Sequence, residues 1–163
     1  MAKSFSDKLR DGEKLYGTLI VSPSPRWPEN IAKLGLDFVF IDTEHIALGR
    51  ETLSWMCQTY KALGLPPIVR IISPDPYLAC AALDGGASGI IAPYVESEDQ
   101  VRELVGAVKR RPLKGEKLKN ALNGKTRVGS VLENYMEKAA SQNTLIVNIE
   151  SEAGIDRNNR VYT

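Results

Sequence analysis

Several polar side chains able to do chemistry stand at the ends of apolar runs. Asp42-Thr43-Glu44-His45 follows Phe38-Val39-Phe40-Ile41 and contains the only histidine of the 163 residues. Arg70 ends the run Pro67-Ile68-Val69. Asn148 and Glu150 alternate with Val147 and Ile149, which places both on one side of a strand. Imidazole exchanges protons near neutral pH. The planar arginine fork holds a carboxylate through two parallel hydrogen bonds, and a carboxylate holds a hard cation such as Mg²⁺ or Mn²⁺. Taken singly, each residue has an ordinary use: Arg70 can snorkel to the surface, Glu150 can cap a helix, and a lone histidine is more often a satisfied or exposed side chain. Taken together, one base, one cation and two carboxylates suit chemistry on a small, anionic, carbonyl-bearing substrate. No GxGxxG or GxxxxGK[ST] loop is present, so nucleotide readings lack their fingerprint.

Positioning those residues requires strands that end together. Five apolar runs read as strands: Tyr16–Val21, Asp37–Asp42, Pro67–Ile71, Gly89–Pro93 and Leu145–Glu150. They are mostly continuous in Val, Ile, Leu and Phe, as expected for strands buried on both faces of a parallel sheet. Between them, Leu53, Met56, Cys57, Tyr60 and Leu63 form one helical stripe, and Val101, Leu104, Val105 and Val108 another. Asp75-Pro76 predicts a helix start, and Ser97-Glu98-Asp99-Gln100 and Ser130-Val131-Leu132-Glu133 both match the capping box. Gly35, Gly64 and Gly85-Gly86 are placed to close helices. The alternation predicts an α/β protein with a parallel sheet, barrel or doubly wound, in a single domain over residues 1–163. Ligands in such folds gather at the carboxyl ends of the strands. Lys109 to Arg127 breaks the rhythm with eight basic residues against Glu116. It reads as a solvated loop with a short helix, or as an anion site or subunit contact.

Composition excludes several classes. With 21 Lys+Arg against 20 Asp+Glu and a formal charge of +1, nothing global favours nucleic acid or an anionic membrane. No apolar stretch approaches a membrane span, and Met1–Asp7 is not a signal peptide, so a cytoplasmic location is expected. Cys57 and Cys80 read as small buried hydrophobes.

Ile41-Asp42-Thr43-Glu44-His45, Pro67-Ile68-Val69-Arg70, Leu83-Asp84-Gly85-Gly86-Ala87, Ile91-Ala92-Pro93-Tyr94-Val95-Glu96-Ser97 and Val147-Asn148-Ile149-Glu150 occur in order. In this the chain resembles the HpcH/HpaI aldolase family, the metal-dependent class II pyruvate aldolases related to citrate lyase subunits. The likeness runs from about residue 10 to about residue 156. It implies a (β/α)₈ TIM-barrel fold and reversible cleavage of a 4-hydroxy-2-oxo acid to pyruvate and an aldehyde. It implies His45 as general base, made more basic by Asp84, although Asp84 precedes the fourth strand and so lies toward the far face of the barrel. Arg70 would bind the oxo acid and stabilise its enolate, Asn148 would contact substrate, and Glu150 would ligate the divalent metal. Asp42 and Glu44 would support the site.

Three departures stand out: Asn148 where the family commonly has Gln, Arg111–Lys117 in place of a glycine-rich segment, and a diverging tail, Asp156–Thr163. Five strand candidates are present where a barrel has eight and roughly 250 residues. The family's second metal-ligand aspartate, in a Gly-Pro-x-Asp-Leu-Ser motif, has no match, so the chain reads as truncated after its fifth strand. Weak metal binding, little turnover and a homo-oligomer joined through an exposed edge or apolar face follow, or rearrangement to an open flavodoxin-like sheet. The alternatives are a related citrate-forming condensing enzyme using an acyl-coenzyme A, and a non-catalytic half-barrel that only binds or assembles.

Overall fold

The structure, a computed structural model, describes residues 3–140 and 142–158; the tail residues Asn159–Thr163 lie outside them. After helix α1 (Phe5–Arg10), strands β1 (Gly17–Ile20), β2 (Phe38–Asp42), β3 (Pro67–Arg70), β4 (Gly89–Ala92) and β5 (Thr144–Val147) alternate with helices. These are α2 (Trp27–Ala32), α3 (Arg50–Ala62), α4 (Pro76–Asp84) and α5 (Glu98–Lys109); α6 (Gly115–Leu122) and α7 (Ser130–Ala140) lie between α5 and β5, and α8 (Glu152–Asn158) follows. All strand pairs are parallel and the order is β1-β2-β3-β4-β5. A flavodoxin-like rearrangement would reverse direction after its first strands. This sheet never reverses, so that expectation is corrected and the barrel-type order stands.

The two faces of the sheet differ. Val39, Ile41, Val69, Ile71, Ile90 and Ala92 point to the helices and join Met56, Cys57 and Tyr60 of α3, Ala79 and Ala82 of α4, and Leu104 and Val108 of α5 in one core. Alternation sends the intervening residues to the other face. The register aligns Leu19, Phe40, Ile68, Gly89 and Thr144 in one row there, and Asp42, Arg70, Ile91 and Ile146 in the next. Helix α1 reaches this face through Phe5, whose ring centroid lies 5.1 Å from that of Phe38. The Phe38 ring fits because residue 17 is glycine; a Cβ there would run into it. Toward the β1 edge the face is open, and Leu19 is 46% exposed.

Local signals worked unevenly. Asp75 caps α4 by accepting from the Tyr77 N–H, and Ser97 and Gln100 form a complete capping box on α5. Gly35, Gly64 and Gly86 take positive φ as expected of helix-closing glycines. Ser130, by contrast, is the first residue of α7, and Glu133 donates its N–H to the Gly129 carbonyl, so the second capping box is not built. The thiols behave as small hydrophobes: burial pushes Cys57 up to about 12 and raises Cys80.

The basic segment proves largely structural at its start. Lys109 bonds the Asn143 carbonyl, Arg111 pairs with Asp84, and Arg110 stands 4.0 Å from Glu133. Helix α6 buries none of its residues fully, yet it lies close on α5, where a Cβ at Gly106 would come within 2.9 Å of Leu122. Lys114, Lys117, Lys119, Lys125 and Arg127 are exposed, as a solvated segment requires.

Ile90 is fully buried in the central layer between sheet and helices. Ile90→Ala is expected to lower stability by about 2–5 kcal/mol, through lost burial and the cavity left behind. A urea-denaturation midpoint unchanged from the parent would contradict this placement of the core.

Candidate active site

Asp42 is the last residue of β2, and the register sets it directly beside Arg70, the last residue of β3. Its side chain is 4% exposed and meets the guanidinium with both oxygens. Arg70 Nε donates to Oδ1 at 2.9 Å and Nη2 to Oδ2 at 2.6 Å. Oδ1 also accepts the backbone N–H of Glu44 at 2.9 Å, and that of His45 more distantly at 3.5 Å. The carboxylate therefore shapes the turn that carries Glu44 and His45. The Arg70 hydrogen bonds hold Asp42 below the ordinary aspartate range, against its burial. Reciprocally, Asp42 first, with Glu44 and Glu150 adding attraction, raises Arg70. The guanidinium carbon also lies 5.4 Å from the centroid of the Phe40 ring, one row below.

Arg70 is thus not a free fork awaiting a ligand, as its sequence position alone suggests. Two of the five guanidinium N–H groups are given to Asp42, which leaves three for a substrate. Glu44 Oε2 approaches Arg70 Nε at 3.1 Å and His45 Nε2 at 3.7 Å. The Nε–H is directed at Asp42, so this buried oxygen has no hydrogen-bond partner among the described residues. His45 itself is exposed, with 69% of its side chain accessible.

The β5 residues complete the rim. Asn148 lies one step beyond the row of Ile91 and Ile146, and its backbone is fixed on both sides. Its N–H donates to the Ala92 carbonyl at 2.9 Å and its carbonyl accepts from Val95 N–H at 3.1 Å. The Asn148 side chain donates to Glu150 Oε1 at 2.9 Å. Glu150 is exposed, three residues past the last residue of β5, so the expected burial at a strand end is corrected: the regular ladder stops at Val147. Ser151 Oγ donates to Glu96 Oε1 at 2.5 Å, which ties this loop to the segment after β4.

Asp84 is not brought to this group. It ends α4, on the side of the sheet where strands begin, and its carboxylate pairs with Arg111. His45 follows the carboxyl end of β2, at the opposite end of the sheet. The sequence gives no sign of a further rim residue, Tyr94, with φ +53°, because Pro-Tyr-Val predicts no left-handed backbone. The Asp42 contact to Arg70 was equally hidden, since 28 residues separate the partners.

Asp42→Asn is expected to cost about 3 kcal/mol, by removing the buried carboxylate that takes two of Arg70's hydrogen bonds in an otherwise apolar row. Because the folded chain holds Asp42 below its unfolded value of 3.8, its contribution is complete above that pH and is lost as pH falls through the lower folded value. The stability of Asp42→Asn should accordingly fall less steeply than that of the parent on acidification below about pH 4. Parallel acid profiles from chemical denaturation would remove this role from Asp42.

Comparisons with known proteins agree with this geometry. The HpcH/HpaI aldolase/citrate lyase family profile matches residues 16–162. A pyruvate aldolase of Rhizobium etli is 32% identical over 159 residues, 98% of this chain and 62% of that protein. A hydroxypyruvate/pyruvate aldolase of Delftia acidovorans is 34% identical over 154 residues, 94% of this chain and 57% of that protein. Among solved structures, the citrate synthase SbnG superposes with a TM-score of 0.76 at 32% identity, over 94% of this chain and 58% of that one. The chain therefore spans about three fifths of the length of these relatives. Sheet order, rim residues and similarity converge: the chain belongs to the HpcH/HpaI aldolase/citrate lyase family.

Proposed function

We propose that this chain carries the oxo-acid half of a class II pyruvate aldolase site, for reversible cleavage of a 4-hydroxy-2-oxo acid to pyruvate and an aldehyde. The observation that carries the reading is the Asp42–Arg70 pair, which fixes a guanidinium at the rim with N–H groups still available. Arg70 binds the carboxylate and carbonyl oxygens of the oxo acid, and stabilises the negative charge that develops on the carbonyl oxygen as the enolate forms. His45 Nε2, exposed beside this group, takes the C4-hydroxyl proton as the carbon–carbon bond breaks and delivers it to the enolate carbon to give pyruvate; on condensation it takes a methyl proton and returns it to the new alkoxide. Asp42 keeps Arg70 from turning away. Asn148 orients Glu150 and contacts the substrate through the rest of its amide.

A divalent cation, Mg²⁺ or Mn²⁺, belongs to this reading. Among the described residues no three metal-ligating side chains come together. Mg²⁺, however, is commonly held by one or two carboxylates, with water and substrate oxygens completing its shell. Glu150, exposed and fixed by Asn148, fits that single-carboxylate role. Bound there, the cation would supply Lewis acidity toward the oxo acid. We expect weak binding of Mn²⁺, strengthened by oxalate, in calorimetric titration. Equal affinity in Glu150→Gln would take the ligand role from Glu150. A cytoplasmic location and a homo-oligomer belong to the same reading. Among the described residues no helix is long and apolar enough to cross a membrane.

The similarity to a citrate synthase favours one alternative, a condensing enzyme that forms citrate. Citrate formation without pyruvate release would select it. The leading reading is tested by deuterium exchange at the pyruvate methyl group, which isolates enolisation. His45→Ala should slow exchange by roughly 10²–10⁴-fold. Arg70→Lys should keep the fold and lose oxo-acid binding, because lysine lacks the planar fork. Unchanged exchange in both variants would overturn the proposed function.

A further inference from the structure

Tyr94 is the one non-glycine residue at positive φ among the described residues, and hydrogen bonds account for it. In a regular parallel ladder a residue donates to the carbonyl before its partner and accepts from the N–H after it, so those two neighbours are two residues apart. Asn148 donates to Ala92 and accepts from Val95, which are three apart. One extra residue is therefore inserted opposite Asn148, a β-bulge in a parallel pair, where bulges are rare and tend to re-aim side chains beside active sites. The insertion drives Tyr94 to φ +53°. Glycine would adopt this conformation without strain. Nothing in the fold requires a phenol there: the side chain is 53% exposed, and its hydroxyl finds no partner among the described residues.

The bulge lies at the carboxyl end of β4, between β3, which carries Arg70, and β5, which leads to Asn148 and Glu150. We propose that Tyr94 is a substrate-contacting residue that determines specificity for the aldehyde half, packing its ring on the carbon chain and donating its hydroxyl to an oxygen there. This rests on the reading of Arg70 as the holder of the oxo acid, which leaves the aldehyde as the component still without a contact. The bulge makes the two contacts interdependent, because the backbone that displaces Tyr94 also clamps Asn148.

The test uses saturation-transfer NMR on the whole chain in Mg²⁺, with pyruvate and D-glyceraldehyde as separate probes, alongside thermal denaturation. Tyr94→Phe should bind pyruvate as the parent does and glyceraldehyde about fivefold more weakly, the loss of one hydrogen bond. Tyr94→Gly should lose glyceraldehyde binding further and should melt at a higher temperature than the parent, as strain is relieved. Equal glyceraldehyde affinity in all three chains, no glyceraldehyde binding by the parent, or a lower melting temperature for Tyr94→Gly would overturn the assignment. Failure of the parent to bind pyruvate would instead overturn the reading of Arg70.

Discussion

The rim of this sheet is organised by one ion pair. Arg70 occupies a row whose other neighbours, Ile91 and Ile146, offer it no polar partner, so its charge must be compensated within the sheet. Asp42 does this from the adjacent strand through two hydrogen bonds, and the same carboxylate accepts the Glu44 N–H. Thr43 reinforces the join, donating both its backbone N–H and its hydroxyl to the Arg70 carbonyl. Guanidinium position, strand end and the entry to the His45 turn are thereby set by overlapping contacts, and loss of Asp42 disturbs all three.

The pair also sets the charge balance around it. Asp42, Glu44 and Glu150 all act on the single guanidinium, so carboxylates outnumber cations near Arg70. On the proposed reading an incoming 2-oxo acid would add a further negative charge, which a divalent cation at Glu150 would offset. The buried Glu44 Oε2, without a hydrogen-bond partner among the described residues, would accept from a donor brought in with the ligand.

How much of this could be read in the sequence depended on range. The strands were legible because parallel strands buried on both faces need continuous apolar runs, and Asp75 and Ser97 were legible because a cap acts over three residues. Ser130 shows the limit, since the same Ser-x-x-Glu spacing stands inside α7 with Gly129 at its start. Residue types at the rim were visible, but their pairing was not. That Asp42 rather than a substrate fills half of Arg70's fork depends on β2–β3 register, which no local pattern encodes. Glu150 read as buried because the apolar alternation runs on to Ile149, whereas the regular ladder stops at Val147. The bulge at Tyr94 likewise depends on Asn148, far along the chain.

The unreversed strand order bears on how the chain is assembled during synthesis. Each strand pairs with the one made just before it, so the sheet can grow in one direction as the polypeptide emerges. The first four strands join across single connecting segments, as when Gly17 meets Phe38 and Ile68 meets Gly89. The last pairing, Gly89 with Thr144, must span α5, α6 and α7, and closing a longer loop carries a larger entropic cost. Asp42 and Arg70 can therefore pair while the ribosome is still translating the excursion. Asn148 and Glu150 join the rim only after that excursion has closed, a later docking step than the one that pairs Asp42 with Arg70.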